Sequence, residues 1–403
     1  MKSSRRLIVL LAALLLALAL VAGCAKQVTK EPGPLRPGGD VEAQLSGEPV
    51  VIGAMFAITG DASSLGIPER NTAEMLEKMI NESGGINGRP LKIVIEDTKG
   101  ENTEALNAAK RLVDKENVLA IVGPSRTGTT LAVVEYMEEV QVPLISCAAG
   151  IQIVEPVKKW VFKTPQSDRM AVEKVVEYLK ANGISRVASL SDNTGFGKSG
   201  LAEIKELLPA AGIEVVSVEE YGPKDTSMET QLTKIRGAKA QAVVCWGTPP
   251  GPAIVAKNMR QLGMEIPLVC SHGVANETFL GIAGEAANGV VLPAGRLLVL
   301  DQIPADHPQK SVLEEYARRY REDFQKSADT FGGHAWDAIQ LAAAALRVAG
   351  EDRAKLRDTL EQTTGFVGTG GVFNFSPEDH NGLTKDAFVM VKVVDGKWML
   401  LSD

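Results

Sequence analysis

The chain has 403 residues, a formal net charge of −7 and 23% charged residues. This mildly acidic balance, without a basic stripe interleaved with aromatic residues, argues against nucleic acid as a partner. About 350 residues follow the N-terminal leader, more than one hydrophobic core normally holds, so two lobes are expected.

The N-terminal stretch MKSSRRLIVLLAALLLALALVAGCAK has the features of a secretory signal. A basic start precedes an apolar core from Leu7 to Val21, and small residues then lead to Cys24. We therefore predict that residues 1–23 form a lipoprotein signal peptide. A lipid on Cys24 would anchor the chain to a bacterial membrane outside the cytoplasm. The alternative is a transmembrane anchor, for which the apolar run falls short of the roughly 20 residues that a span needs.

Residues 24–48 are rich in Pro, Gly and charge and predict a flexible linker. No later apolar stretch is long enough to cross a membrane, which argues against a transporter or receptor formed by this chain alone.

From Pro49 onwards, apolar runs rich in Val and Ile alternate with helix-length segments. Strands that are apolar on both sides are typical of parallel sheets covered by helices. The predicted strands are Val50 to Thr59, Leu91 to Asp97, Val118 to Gly123, Val142 to Ser146, Val187 to Asp192, Glu214 to Tyr221, Ala240 to Trp246 and Pro267 to Ser271. The predicted helices are Pro68 to Glu82, Thr103 to Glu116, Thr127 to Val140, Arg169 to Asn182, Lys198 to Ala211, Pro252 to Leu262, Gln309 to Lys326 and Gly333 to Val348. The alternation predicts an α/β fold with two doubly wound, Rossmann-like lobes and parallel sheets.

The chain is expected to cross between the lobes more than once, forming a hinge. The segments 158–169 and 289–298 are the predicted crossings, which assigns 49–165 plus 297–370 to the first lobe. The second lobe takes 166–296 plus 371–403 and ends in a hairpin around Asp395-Gly396. Loops at the carboxyl ends of parallel strands meet at a cleft where ligands bind.

Neither a cofactor nor a metal is predicted. Cys147, Cys245 and Cys270 lack the paired spacing of a zinc site and are interpreted as buried thiols. A Cys245–Cys270 disulfide is the alternative outside the cytoplasm. Gly197-Lys198-Ser199 resembles half of a phosphate-binding loop, but Asp192 stands where that loop needs its first glycine.

One strand-to-helix junction is a candidate anion site. Thr127 opens a predicted helix whose first N–H groups have no internal partner and whose dipole is positive there, which suits a small carboxylate. Thr127 is alternatively only an N-cap. Arg126 offers a bidentate grip on the carboxylate or is merely solvated.

His272 stands where a strand opens into a loop. The other histidines, His307, His334 and His380, are interpreted as exposed or structural, and Asp192 and Asp337 as caps or surface charges. No nucleophile with a nearby base is visible, so an enzyme is not predicted.

Several segments resemble the type I periplasmic binding proteins of the leucine/isoleucine/valine group. GGINGRPLKIVIED is the most recognisable, and the likeness continues through SDNTGFGKSG, GMEIPLVCSHGVANETFLGIAGEAANGVVL and SADTFGGHAWDAIQLA, covering nearly everything after Pro49. Members of this family capture a ligand between two hinged lobes and deliver it to the membrane permease of an ATP-driven importer.

The resemblance implies particular site residues. The carboxylate end of the ligand would meet Thr127 and the loop Ala148 to Gly150. Leu65, Phe196, Thr248 and Phe331 would line the pocket from both lobes.

Two positions depart from the family pattern. The amino-acid binders have a glutamate at the position of His272, which holds the ligand's ammonium, and a threonine at the position of Gly150. Because a buried ammonium needs a counter-charge, the departures point to a ligand without an α-ammonium. Asp192 or Glu277 would alternatively supply the missing charge, and His272 would alternatively bond only its own loop.

The expected function is that of an extracytoplasmic solute-binding lipoprotein of an ABC importer. Its ligand would be a branched-chain-type amino acid or a related small carboxylate. The alternative is a ligand-sensing module that signals to a membrane partner, which neighbouring genes would distinguish.

Overall fold

The computed structural model describes residues 45–401. The predicted signal peptide, Cys24 and most of the linker lie outside the described residues. The strands are β1 (Val50–Phe56), β2 (Leu91–Asp97), β3 (Ile121–Val122), β4 (Leu144–Ser146), β5 (Val161–Lys163), β6 (Arg186–Asp192), β7 (Glu214–Tyr221), β8 (Ala242–Trp246), β9 (Leu268–Cys270), β10 (Val291–Ala294), β11 (Phe366–Val367), β12 (Val372–Phe373), β13 (Val389–Val394) and β14 (Lys397–Leu400). The α-helices are α1 (Ser63–Glu82), α2 (Asn102–Asp114), α3 (Thr127–Val140), α4 (Asp168–Ala181), α5 (Gly195–Ala210), α6 (Glu229–Gly237), α7 (Gly251–Gln261), α8 (Glu277–Ala283), α9 (Lys310–Phe324), α10 (Thr330–Ala349) and α11 (Arg353–Glu361).

The first lobe contains a parallel sheet with the strand order β2-β1-β3-β4-β5. Its strands are apolar on both sides because helices cover both faces. Leu76 of α1 and Ile339 of α10 belong to the core on one face, whereas Ala108 of α2 and Val133 of α3 belong to the core on the other.

The second lobe contains a seven-stranded sheet with the order β14-β13-β10-β9-β8-β6-β7. The strands from β10 to β7 are parallel, and β13 and β14 add an antiparallel hairpin at one edge. Asp395 and Gly396 join the hairpin with φ angles of 49° and 72°. Two left-handed residues in succession match the twist of the flanking strands, so the predicted hairpin is confirmed. The two doubly wound lobes confirm the predicted fold class.

The last crossing differs from the prediction. Phe373, Phe375 and Leu383 pack in the core of the first lobe, although residues 371–403 were assigned to the second. The chain joins the second sheet only at β13. The reason is that the aromatic side chains of this segment fill the first core beside Phe162, with ring centroids of Phe162 and Phe375 5.4 Å apart.

Other differences concern short or polar elements. Val161–Lys163, expected only as part of a crossing, is the fifth strand of the first sheet. The helices Glu229–Gly237 and Arg353–Glu361 were not predicted, because each buries only two apolar side chains and is otherwise polar. None of the helices within residues 45–401 is both long and apolar enough to span a membrane.

Candidate ligand-binding site

A cavity of about 330 Å³ lies between the two lobes. Loops that follow the carboxyl ends of β3, β4 and β5 in the first lobe and of β6, β8 and β9 in the second form most of its wall. This is the edge of a parallel sheet at which ligands usually bind. The volume is within the range of small-molecule sites.

Most of the predicted site residues lie in this wall, and they come from both lobes. The lining residues among them are Leu65, Arg126, Thr127, Ala148, Phe196, Thr248, His272 and Phe331. Gly150 is the exception.

Gly150 supports Thr127 from behind instead of lining the cavity. Its N–H donates a hydrogen bond to Oγ1 of Thr127 over 3.2 Å. A Cβ added at Gly150 would stand 2.3 Å from Cγ2 of Thr127, so the Thr127 side chain occupies the space that a larger residue here would need. The expectation that Gly150 faces the ligand is therefore wrong.

Thr127 is the first residue of α3 and not its N-cap. Arg126 is the N-cap, with extended backbone angles, and no side chain caps the helix. The first amides of α3 are consequently open to the cavity with the positive end of the helix dipole behind them. Because the Thr127 hydroxyl already accepts from Gly150, its own hydrogen remains available to donate to an anion.

The charged side chains of the wall are cations. Arg126 is half-buried and donates to the carbonyl of Gly100 over 3.4 Å, and Lys198 is exposed at the rim. No aspartate or glutamate lines the cavity within residues 45–401. The wall therefore favours an anionic group and offers no counter-charge to an ammonium.

Two carboxylates considered as substitutes for the missing counter-charge lie outside the cavity wall. Asp192 is buried, and its Oδ1 accepts from the backbone N–H of Thr194 over 2.9 Å and from the Thr194 hydroxyl. Burial raises the pKa of Asp192, although these hydrogen bonds and the charge of Arg126 act in the opposite direction. Glu277 is exposed in the first turn of α8. Neither residue lines the cavity.

A third carboxyl lies just behind the wall and was not anticipated. Glu69 is fully buried and accepts a short hydrogen bond from the hydroxyl of Ser125, which also accepts from the backbone N–H of Ala57. Burial raises the pKa of Glu69 well above its ordinary value. Glu69 does not line the cavity, and its carboxyl is engaged by Ser125.

His272 projects into the cavity from the loop after β9. Its ring lies among Phe196, Trp246 and Phe388, with centroid distances of 5.4, 6.0 and 5.2 Å. Neither ring nitrogen has a hydrogen-bond partner. The alternative that His272 bonds only its own loop is therefore wrong.

His334 was interpreted as exposed or structural but lies in the same wall. It is buried on α10, and its Nδ1 has no partner. A signal was available, because His334 is three residues after Phe331 and side chains spaced by three share a helix face. Gln166, also missed, lines the cavity and donates from Nε2 to the carbonyl of Gly370 over 2.7 Å.

Asp337 has a structural role within the first lobe. Its carboxylate accepts from the backbone N–H groups of Thr369 and Gly370 over 2.6 and 2.7 Å. Cys147, Cys245 and Cys270 are buried free thiols, as predicted, and the alternative Cys245–Cys270 disulfide is not formed.

The lobes touch where their helices begin. A Cβ added at Gly195, the first residue of α5, would stand 2.8 Å from the backbone nitrogen of Gly128 near the start of α3. At the other side of the cavity, the hydroxyl of Thr330 donates to the carbonyl of Ala275 over 3.2 Å. The cavity is thus bounded by direct contacts between the lobes.

Comparison with known proteins agrees with this architecture. A family model described as periplasmic binding protein matches residues 49–397. A Leu/Ile/Val-binding protein homolog of Brucella melitensis is 24% identical over 353 residues, which cover 86% of this chain and 92% of that protein. The crystal structure of an extracellular ligand-binding receptor from Rhodopseudomonas palustris HaA2 superimposes with a TM-score of 0.84 and 25% identity, over 88% of this chain and all of the other. The branched-chain amino acid transporter substrate-binding protein LivJ of Streptococcus pneumoniae, solved with isoleucine, shares the fold at a TM-score of 0.78 and 24% identity, over 88% and 99% of the two chains.

Two α/β lobes around a ligand-sized cavity, together with the match to this family, define a solute-binding protein and not an enzyme. The chain belongs to the periplasmic binding protein family, in the type I group that includes the Leu/Ile/Val-binding proteins.

Proposed function

We propose that the chain is an extracytoplasmic solute-binding lipoprotein that captures a small carboxylate for an ABC importer. The observation that carries the proposal is the interlobe cavity itself, in which an uncapped helix start and cationic side chains face the ligand space. Within residues 45–401 no carboxylate does so. The ligand class extends from branched-chain-type amino acids to related organic acids, and the wall favours the acids without an ammonium.

The carboxylate would bind at Thr127 in this proposal. The free amides of α3 and the Thr127 hydroxyl would donate to it, and Ala148 would contact it from the loop after β4. The apolar part of the ligand would pack against Leu65, Phe196 and Phe331, which line the cavity from both lobes.

Transport rather than sensing is supported by the relatives. The Streptococcus pneumoniae neighbour is by its own description a substrate-binding protein of a transporter. The lipid anchor is supported by the apolar run ending in Val21-Ala22-Gly23-Cys24.

A thermal-shift panel tests the proposal. The full chain, purified in mild detergent, is heated with amino acids and with their des-amino analogues. At 100 times its Kd a ligand stabilises the native state by about 2.7 kcal/mol, which for a chain of this size raises the Tm by roughly 3–4 °C. Stabilisation by small carboxylates is the expected result, and no response to any of them would contradict the proposal.

Thr127→Val tests whether the hydroxyl binds the carboxylate, and the Tm of the ligand-free variant reports the loss of its hydrogen bond from Gly150. The substitution keeps the side-chain shape and removes the hydroxyl, so the Kd for the best carboxylate should rise about 10-fold, as for loss of a hydrogen bond to a charged group. Thr103→Val is the matched control, because Thr103 is an exposed residue in the first turn of α2 and does not line the cavity. An unchanged Kd for Thr127→Val would place the carboxylate elsewhere.

A further inference from the structure

Two histidines of the cavity wall have hydrogen-bonding atoms without partners. His272, from the second lobe, is 8% exposed and has neither ring nitrogen bonded. His334, from the first lobe, is 6% exposed and its Nδ1 is not bonded. Both side chains line the cavity.

Histidines outside the cavity do not share this property. Nδ1 of the buried His380 lies 2.9 Å from the carbonyl oxygen of Val161, and its Nε2 lies 3.3 Å from Glu361. His307 accepts from the N–H of Gln309 over 3.2 Å. A buried polar group without a partner costs about 1–3 kcal/mol. Because His272 and His334 line the cavity, a ligand there can supply the partners that the described residues do not.

The two imidazoles are uncharged. Burial lowers the pKa of each to about 3. For His272 the repulsion from a proton on His334 and the nearby Lys163 add to the effect, and for His334 Lys163 adds to it. A neutral imidazole donates one hydrogen bond and accepts one. It therefore suits a hydroxyl or a carbonyl oxygen, and it compensates neither an ammonium nor a second carboxylate.

Aromatic side chains of the described protein surround His272. Phe196, Trp246 and Phe388 stand around its ring, and Phe331 meets His334 edge-on with a centroid distance of 6.3 Å. An apolar surrounding makes each missing hydrogen bond more costly. Both histidines thus lie among aromatic side chains of the wall.

We propose that the ligand is a carboxylic acid that also carries an uncharged oxygen, a hydroxyl or an oxo group, which hydrogen-bonds to His272 and His334. This inference rests on the proposed function, because it assumes that a small carboxylate enters the cavity. It adds that the two imidazoles select hydroxy or oxo acids over acids that lack the oxygen and over amino acids.

Matched ligands that differ by one oxygen test the selection. Calorimetric titration of the full chain in detergent compares 4-methylpentanoate with its 2-hydroxy and 2-oxo derivatives and with leucine. A second series compares benzoate with 4-hydroxybenzoate, which places the oxygen at the far end of the molecule. In at least one series the oxygenated acid should bind about 10–100-fold more tightly than its parent, since a site built to hydrogen-bond an oxygen rejects the analogue without it.

Replacing the imidazoles should remove the preference and leave the parent acid unaffected. His272→Phe and His334→Phe each keep an aromatic ring, so the Kd of the oxygenated acid should rise about 10-fold while that of its parent changes less than about twofold. His272→Gln, which retains a donor and an acceptor, should recover part of the preference. His307→Phe, outside the cavity, is the control.

The outcomes separate this inference from the proposed function. Parent and oxygenated acids that bind equally well in both series would overturn the inference and leave the proposed function intact. The inference would also fail if leucine bound most tightly, or if the preference survived both phenylalanine variants. Absence of binding by every carboxylate would overturn both. Should a variant not fold, the comparison of ligands on the unaltered chain still decides.

Discussion

Gly195→Ala tests whether the direct contact between the lobes belongs to the ligand-bound state. The new Cβ would stand 2.8 Å from the nitrogen and 3.0 Å from the Cα of Gly128. Carbon contacts are comfortable only at about 3.5–4.0 Å, so the two helix starts must separate by roughly 0.5–1 Å. Both neighbouring atoms are backbone and cannot rotate away.

We expect Gly195→Ala to make closure of the two lobes around the ligand less favourable and to leave the stability of the ligand-free fold nearly unchanged. Overpacking of a tight contact costs about 1–3 kcal/mol, which corresponds to a Kd about 5–150 times higher. The unliganded lobes need not touch, and alanine is the better residue in a helix. The Tm of the ligand-free protein should therefore stay the same or rise slightly.

Titration calorimetry with the best carboxylate, together with thermal unfolding without ligand, measures both effects. Gly237→Ala is the control, because a Cβ there meets nothing within 4 Å and the residue ends a helix of the same lobe. If Gly195→Ala bound ligand as tightly as the unaltered chain, the contact would have no part in the closed complex and the reasoning would be refuted.

Three further predictions concern other parts of the chain. Gly150→Thr should displace Thr127, raising the Kd for carboxylates and lowering the Tm by an amount equivalent to about 1–3 kcal/mol; an unchanged Kd in titration calorimetry would show that the cavity tolerates the family's residue. Asp337→Asn should lower the free energy of unfolding in urea by about 1–3 kcal/mol, because an amide nitrogen would face backbone donors, whereas Asp352→Asn, at an exposed helix N-cap where asparagine serves equally well, should change it little. Cys24→Ala should abolish labelling by fatty acid and release the chain from the membrane fraction; continued membrane association without label would favour the transmembrane alternative.

The fold was predictable from sequence because its main elements carry strong periodic signals. The run Ala242–Trp246 is apolar throughout and became a central strand with every residue buried. The last crossing was not predictable in the same way. The aromatic side chains of Phe373 and Phe375 would suit the core of either lobe. Only tertiary packing decides which core they fill.

The candidate site was partly predictable because the order of strands and helices along the chain is visible in the sequence. Thr127 and His272 stand at strand ends, a position that the chain order of an α/β fold fixes. Gly150 was wrongly predicted to face the ligand. Its position in the loop beside Ala148 does not determine the direction in which Gly150 itself faces. His334 was missed because a histidine within a helix is usually a core residue whose ring nitrogens are hydrogen-bonded. That its Nδ1 lacks a partner is visible only in the three-dimensional structure.

The exchange of glutamate for histidine in the wall has consequences beyond one lost charge. A carboxylate opposite the start of α3 would suit a ligand that is positive at one end and negative at the other. With His272 and His334 both neutral, and the carboxyl of Glu69 engaged by Ser125 behind the wall, the cavity instead has a positive side and an uncharged side. A zwitterion would leave its ammonium unmatched there, at the cost of burying an uncompensated charge. An acid with a neutral oxygen leaves no group unmatched, because its charge meets the helix start and its oxygen meets the imidazoles. In our proposal, the charge pattern of the whole wall, and not His272 alone, would therefore separate this cavity from one built for an amino acid.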